Sequence, residues 1–424
     1  MKINELRKFI ETGGLDEKLA ALYGEANIAA QRLRYDDILV KACNMFGDRE
    51  AQLYSAPGRT EVGGNHTDHQ LGAVLAASLN LDVVAAVVLS NDMVVRYASK
   101  GFDVKPVDLK ELGIHDEEAN TTEALIRGTA AGLVERGCKV GGFMAYAESD
   151  VIAGGGMSSS AAFEVLLGTI FNGLYNDGAI DSQTIAKNGQ YAENVYFKKP
   201  CGLLDQMACS VGSFAAIDFK DPKNPVVEKV DFDPASYGYD LILTDVKASH
   251  AELSDEYGAV PREMKAAANV MGHQFLSECT LSQLLENASE IRKTCGDRAF
   301  LRAYHFVNET KRAKDEVEAL RCKDIGEFLR LVTESGHSSY MYLQNINVPG
   351  AVKEQPVAMA LALSEAVLAG SGAYRVHGGG FAGTIQAFVP REKTTEYIKT
   401  MESVFGKGCC YMLRIRNCGG TRVA

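Results

Sequence analysis

Three glycine-rich clusters, at residues 58–64, 154–156 and 378–383, constrain this chain more than any other feature. They interrupt long apolar runs at points where a backbone without Cβ atoms can approach something closely. Glycine is abundant overall, 41 residues against 10 prolines, and the clusters are flanked by Ser, His, Asp and Arg rather than by linker residues. That composition suits ligand cradles held between regular elements.

The chain has 424 residues, enough for two or three domains, each with its own core. Its 44 Lys and Arg against 55 Asp and Glu give a formal net charge of −11. The acidic balance argues against nucleic acid or an anionic membrane as partner. No apolar stretch reaches the ~18 residues of a spanning helix. The nearest, Leu71 to Leu89, is broken by Asn80 and Asp82. The first residues, MKINELRKFIETGGLDEKLAALYG, lack the apolar core of a signal peptide, so a cytoplasmic location is expected. The ten cysteines show no CxxC spacing and read as reduced thiols; Cys409-Cys410 is given no role. A monomer is the default expectation.

Apolar periodicity predicts helices over residues 1–48, then a strand over 51–62 that enters the first glycine cluster. The runs VVAAVVL and MVVRYAS read as buried strands. A helix is expected from Thr121 to Gly137 with Thr122 as a cap, a strand from Phe143 to Ala147, and a long apolar helix to about Tyr175. Further helices are expected at 180–197, 257–271, 298–319, 324–336 and 355–369, and strands at 214–219, 241–246, 383–389 and 410–415. A domain boundary is expected near 210–225, dividing the chain into 1–215 and 216–424.

The run Gly154-Gly155-Gly156-Met157-Ser158-Ser159-Ser160-Ala161 leads from a strand into a helix. Glycines there let backbone amides turn together toward phosphate, and a helix N-terminus beneath them favours negative charge. Ser158, Ser159 and Ser160 supply hydroxyls that can cap the helix, bond phosphate or ligate Mg²⁺. A Walker A loop would need Lys, and a dinucleotide fingerprint would need later glycines; neither is present. The segment GRTEVGGNHTDHQ, residues 58–70, is crowded with short polar groups, of which His66 and Asp68 suit sugar hydroxyls. A metal site from His66, Asp68 and His69 has no other His or Cys cluster to complete it.

Taken together and in order, these segments resemble the galactokinases of the GHMP small-molecule kinase family. The family's first motif, Gly-Arg-Val-Asn-Leu-Ile-Gly-Glu-His-Thr-Asp-Tyr, reads GRTEVGGNHTDH here, and its serine loop reads GGGMSSSAA. Cys201-Gly202-Leu203-Leu204-Asp205-Gln206 matches the family's Cys-Gly-Ile-Met-Asp-Gln segment. Ser254-Asp255-Glu256-Tyr257 matches its Ser-Glu-Tyr segment, and Val376 to Gly383 its third, glycine-rich motif. The N-terminal ~45 residues look longer than is usual in the family.

The resemblance implies a two-domain α+β fold with the active site in the cleft between domains. It also implies transfer of the γ-phosphoryl of ATP, with Mg²⁺, to the anomeric hydroxyl of a hexose. It makes Asp205 the acidic group at the reacting hydroxyl and Arg59 its partner. Gly154, Gly155, Gly156, Ser158, Ser159 and Ser160 would hold the nucleotide phosphates, and Ser160 and Glu193 the Mg²⁺. Asn65, His66, Asp68, Gly202 and Tyr257 would bind the sugar. The structural alternative for Arg59 and Asp205 is a buried ion pair joining two segments.

Several positions depart from the pattern. Asn65 stands for the family's Glu and His69 for its Tyr, while Glu61 stands for its Asn and Ala382 for a usual Gly. A neutral Asn65 tolerates either a sugar hydroxyl or a carboxylate at position 6, and a protonated His69 would favour the carboxylate. Asp68-His69-Gln70 also looks like the galacturonate kinases of the same family. Galactose is the expected acceptor, with a uronic acid or another hexose derivative as alternatives. A non-catalytic sugar and ATP sensor is the alternative of another class, although the serine stretch such sensors lose is intact here.

Overall fold

The computed structural model describes residues 1–101, 104–151, 156–248, 253–381 and 383–424. Two sheets organise them. The larger contains β1 (Ala51–Gly63), β2 (Ala73–Leu89), β3 (Val94–Ser99), β4 (Val107–Asp108), β5 (Phe143–Ser149), β6 (Phe214–Asp218) and β7 (Val226–Val230). The smaller is antiparallel and contains β8 (Tyr239–Asp245), β9 (Ala373–Val376), β10 (Thr384–Pro390) and β11 (Cys410–Leu413), in the order β11-β8-β10-β9. The last strand, β12 (Thr421–Arg422), returns to the larger sheet and pairs with Tyr54 and Ser55 of β1.

β2 is the spine of the molecule. It runs for 17 residues and is buried along almost its whole length, because both of its faces are covered. Side chains alternate across a strand. Leu75, Ala77, Leu79, Val83, Ala85 and Val87 therefore share one core with the helices Thr122–Glu135 and Ser159–Tyr175. On the other face, Val74 and Ala76 pack on Leu204, Met207 and Ala208 of the helix Leu204–Val211. Farther along that face, Val84, Ala86 and Val88 pack on the N-terminal helices Ile3–Glu11, Asp16–Tyr23 and Ile28–Phe46. Thr121, rather than Thr122, caps its helix by accepting from the Ala124 amide.

The smaller sheet buries Ile242, Val376, Ile385, Ala387 and Val389 against the helices Pro356–Leu368 and Thr394–Phe405. Its other face, with Leu241, Leu243, Ala373 and Phe388, joins the core of the larger sheet through Phe328 and Leu331 of the helix Ile325–Ser338. A third group of helices, including Ser254–Val270 and Asp297–Arg321, packs around Val260, Met264, Ala303 and Phe306. β7, β9 and the helix 394–405 were not expected from the sequence. Because β6, β7 and β12 all pair within the larger sheet, hydrogen bonding there continues past residue 215, and a division into 1–215 and 216–424 is kept only as a proposal. All ten cysteines are free thiols. Among the described residues no helix is long and apolar enough to cross a membrane.

Asp82 interrupts the apolar run of β2 and is fully buried. Arg34 reaches Oδ1 at 2.8 Å, and Arg416 reaches Oδ2 at 3.0 Å. The Tyr23 hydroxyl donates to Oδ2 at 2.6 Å, and Ser55 Oγ donates to the same oxygen. Burial alone would push this carboxyl up; the two guanidiniums and the hydroxyl donors outweigh it and hold the group below the ordinary carboxylate range. A depressed folded-state value means the cluster stabilises the fold above that range and loses this contribution as pH falls through it. Asp82→Ala leaves the buried Arg416 without its counter-charge, and we expect urea unfolding to show a loss of about 3–5 kcal/mol at neutral pH.

Candidate functional site

β1 carries the first functional residues. Its pairing with β2 is regular from Arg59↔Ser78 to Glu61↔Ala76, with register shifts on either side, between Pro57 and Arg59 and between Glu61 and Gly63. Such irregularities bend a strand and re-aim its side chains. Within the regular stretch Arg59 and Glu61 share the face opposite Thr60. That is also the face on which the helix Leu204–Val211 packs, with Asp205 in its first turn. A carboxylate there is favoured by the helix N-terminus.

Arg59 and Asp205, 146 positions apart, meet: Arg59 Nε donates to Asp205 Oδ1 at 2.7 Å. Arg59 Nη1 also donates to the Gly156 carbonyl, and Ser158 Oγ donates to Asp205 Oδ2. Ser158 takes a left-handed conformation, φ 54°, just before the helix that Ser159 begins. That strained turn carries its hydroxyl toward Asp205. Gly154 and Gly155 lie outside the described residues. Gly156 rests on the third glycine cluster; a Cβ there would stand 3.2 Å from Nδ1 of the buried His377.

Behind this group lies a set of oxygen donors. Ser160 Oγ donates to Glu193 Oε1 at 3.1 Å, and Lys199 Nζ donates to the same oxygen at 2.8 Å. Gln206 Nε2 bridges Glu193 Oε2 and Glu164 Oε2, each at 2.9 Å. Glu164 Oε1 is buried with no partner, and burial, reinforced by Glu193, pushes the Glu164 carboxyl well up. A serine hydroxyl and carboxylates are the hard oxygen donors that Mg²⁺ prefers. Among the described residues no group of three His, Cys, Asp or Glu side chains is arranged to hold a metal by itself.

The 58–70 cluster folds around its glycines. Gly64 has φ 84°, and a Cβ at Gly63 would collide with the Glu316 carboxylate. The turn docks on one face of the helix Asp297–Arg321. The Gly64 amide donates to Glu309 Oε1 at 3.1 Å, and His305 Nε2 meets the Asn65 carbonyl at 2.8 Å. Burial pushes His305 down to about 4. Burial would push Glu309 up, but His305, Arg312 and Arg375 bring it down to about 2.

The expected sugar residues divide. His66 is half-buried, with Nε2 at 2.9 Å from the Gly379 carbonyl. Asp68 is half-buried beside Gly202, where a Cβ would meet its Oδ2. Burial pushes Asp68 up, while His66 opposes that shift. The Tyr257 hydroxyl donates to the Gly380 carbonyl at 2.9 Å. Asn65 corrects the expectation of a sugar contact, because it is fully buried and its amide is spent inside the protein. Its Nδ2 donates to Glu61 Oε1 at 2.6 Å and to the Gly378 carbonyl at 2.9 Å. Its Oδ1 accepts from Ser339 Oγ at 3.2 Å and Asn345 Nδ2 at 2.8 Å.

The galactokinase galactose-binding signature matches residues 43–88, and the N-terminal domain of the GHMP kinases matches residues 124–213. The chain is 29% identical over 352 residues to a galactokinase of Actinobacillus pleuropneumoniae serotype 3, covering 82% of this chain and 88% of that one. It is also 29% identical over 366 residues to a galactokinase of Streptomyces coelicolor, covering 85% and 90%. The crystal structure of Lactococcus lactis galactokinase complexed with galactose shares the fold, with TM-score 0.76 and 23% identity, covering 90% of this chain and 98% of that one. Methanococcus jannaschii mevalonate kinase shares it more distantly, with TM-score 0.61 and 14% identity over 86% and 98%.

Sequence reasoning missed Glu164, Gln206 and Lys199 around Glu193. Glu164 lies four residues after Ser160 on one helix, a spacing that places both on one face and could have marked it. His305, Glu309 and Glu316 gave no local signal for this docking, since the turn at 63–65 that they meet is more than 200 positions away. Asn65 must donate to two acceptors and accept from two donors, which only an amide can do. We expect Asn65→Asp, which loses the donors and faces Glu61 with a second carboxylate, to lower unfolding free energy by about 2–4 kcal/mol in a urea titration.

Proposed function

We propose that this chain is an ATP-dependent sugar 1-kinase that converts galactose and ATP into galactose 1-phosphate and ADP. The observation that carries the reading is the convergence of Arg59, Asp205, Ser158 and the Gly156 carbonyl at the start of the helix Ser159–Tyr175. Phosphoryl transfer asks mainly for positioning and for neutralisation of moving charge. Asp205 receives the proton of the anomeric hydroxyl as that oxygen bonds to the γ-phosphorus and the bond to the β-phosphate oxygen breaks. Arg59 holds Asp205 in place and presents its remaining charge to the phosphoryl oxygens. Ser158, Ser159 and the amides that begin their helix receive the nucleotide phosphates together with Gly154, Gly155 and Gly156. Ser160 and Glu193 would hold Mg²⁺, which supplies charge neutralisation between the phosphates; Glu164 and Lys199 stand next to them. His66, Asp68, Gly202 and Tyr257 form the sugar side. A cytoplasmic monomer with the sugar and ATP as its small-molecule partners accompanies this reading.

The uronic-acid alternative loses both of its premises. Asn65 is not free to face a substituent at position 6. Burial pushes His69 down to about 3, so its imidazole is neutral at physiological pH and offers no charge to a carboxylate.

The experiment is ADP release with a panel of sugars. Galactose is expected to have the highest kcat/KM, and a strong preference for galacturonate or N-acetylgalactosamine overturns the choice of sugar. With galactose as acceptor, Asp205→Asn is expected to bind ATP as the parent does and to lose turnover by about 10²–10⁴-fold. Turnover within a few-fold of the parent would remove Asp205 from the chemistry.

A further inference from the structure

We propose that Glu61, and not Asn65, is the carboxylate at this corner of the sugar site and that it receives a hydroxyl of the acceptor; the inference rests on the sugar kinase reading above. Strand alternation sets Glu61 on the same face of β1 as Arg59, the face that meets Asp205. Relative to the family motif, the amide and the carboxylate have exchanged places: Glu61 stands where the motif has Asn, and Asn65 where it has Glu. The structure bonds the exchanged pair directly, Asn65 Nδ2 to Glu61 Oε1 at 2.6 Å. Arg375 Nη2 lies 3.4 Å from the same oxygen.

Oε1 is thus held from two sides, and the carboxylate plane is oriented by groups that do not move with the substrate. Oε2 is bonded by no described group, and Glu61 retains 7% of its surface. Burial pushes the Glu61 carboxyl up, and the charges of Arg375, His66 and Arg59 oppose that shift. Asn65, by contrast, has no accessible surface and no unused donor. A carboxylate oxygen that is oriented, nearly buried and unbonded is an acceptor for a neutral hydroxyl and repels an anionic substituent. The residue therefore selects polyhydroxy acceptors over uronates.

The test uses the full-length protein with galactose and its singly deoxygenated analogues. In Glu61→Gln the sugar KM is expected to rise about 10- to 100-fold, the range of a lost charge-assisted hydrogen bond, with the ATP KM unchanged. One deoxygalactose is expected to be poor for the parent and no poorer for Glu61→Gln, which identifies the hydroxyl. Glu61→Asp, which keeps the charge and shortens the reach, is expected to lie between the two. An unchanged sugar KM in Glu61→Gln overturns the assignment while leaving the kinase reading intact. If that variant unfolds, the parent alone decides: equal use of every deoxygalactose overturns the assignment. Failure of the parent to phosphorylate any hexose overturns the kinase reading and the Glu61 assignment with it.

Discussion

Everything at the candidate site depends on the docking of one tight turn, residues 63–65, onto a buried polar helix face. Glu309 receives the Gly64 amide, His305 holds the Asn65 carbonyl, and Glu316 lies against Gly63. The cost of burying Glu309, His305 and Asn65 is met because each has partners, whereas both oxygens of Glu316 are buried without one and burial pushes its carboxyl well up. From this anchor the site extends in two directions. Back along β1 lie Glu61 and Arg59, and forward lie His66 and Asp68.

The third glycine cluster completes the arrangement by turning its carbonyls inward. The Gly378 carbonyl accepts from Asn65, and the Gly380 carbonyl from Tyr257. The Gly379 carbonyl meets His66 and Asn345. Four side chains from distant parts of the chain thus hold one glycine turn against Gly156. Side chains on those glycines would collide: a Cβ on Gly380 would strike the Asn345 carbonyl, and one on Gly379 would meet the Tyr257 ring at 2.6 Å.

Much of this was legible from residue order alone. The long apolar runs became buried strands because alternation and length leave few other fates for VVAAVVL, and the serine run began a helix as expected. Arg59 and Asp205 were paired by motif, and they meet. The short strand Val226–Val230 was missed because it is largely exposed, with none of the apolar alternation that marks a half-buried strand. Asn65 was misjudged for a different reason. Its motif position implied a ligand, but its environment is set by Ser339, Asn345 and Gly378, whose approach no local pattern announces. His69 was read as a group that could take a proton, and burial makes it neutral instead.

The cluster at Asp82 draws together segments far apart in sequence, Tyr23 and Arg34 from the helices before β1 and Arg416 from the segment before β12, while β12 closes the edge of β1. During synthesis on the ribosome the N-terminal half therefore emerges with a carboxylate lacking one of its two cations and with the edge of β1 away from β2 unpaired at Tyr54 and Ser55. Neither want is supplied until Arg416 and the strand at 421–422 have left the exit tunnel. For most of its translation the nascent chain carries an open sheet margin, a site where a chaperone could hold it and where a second nascent chain could wrongly add a strand.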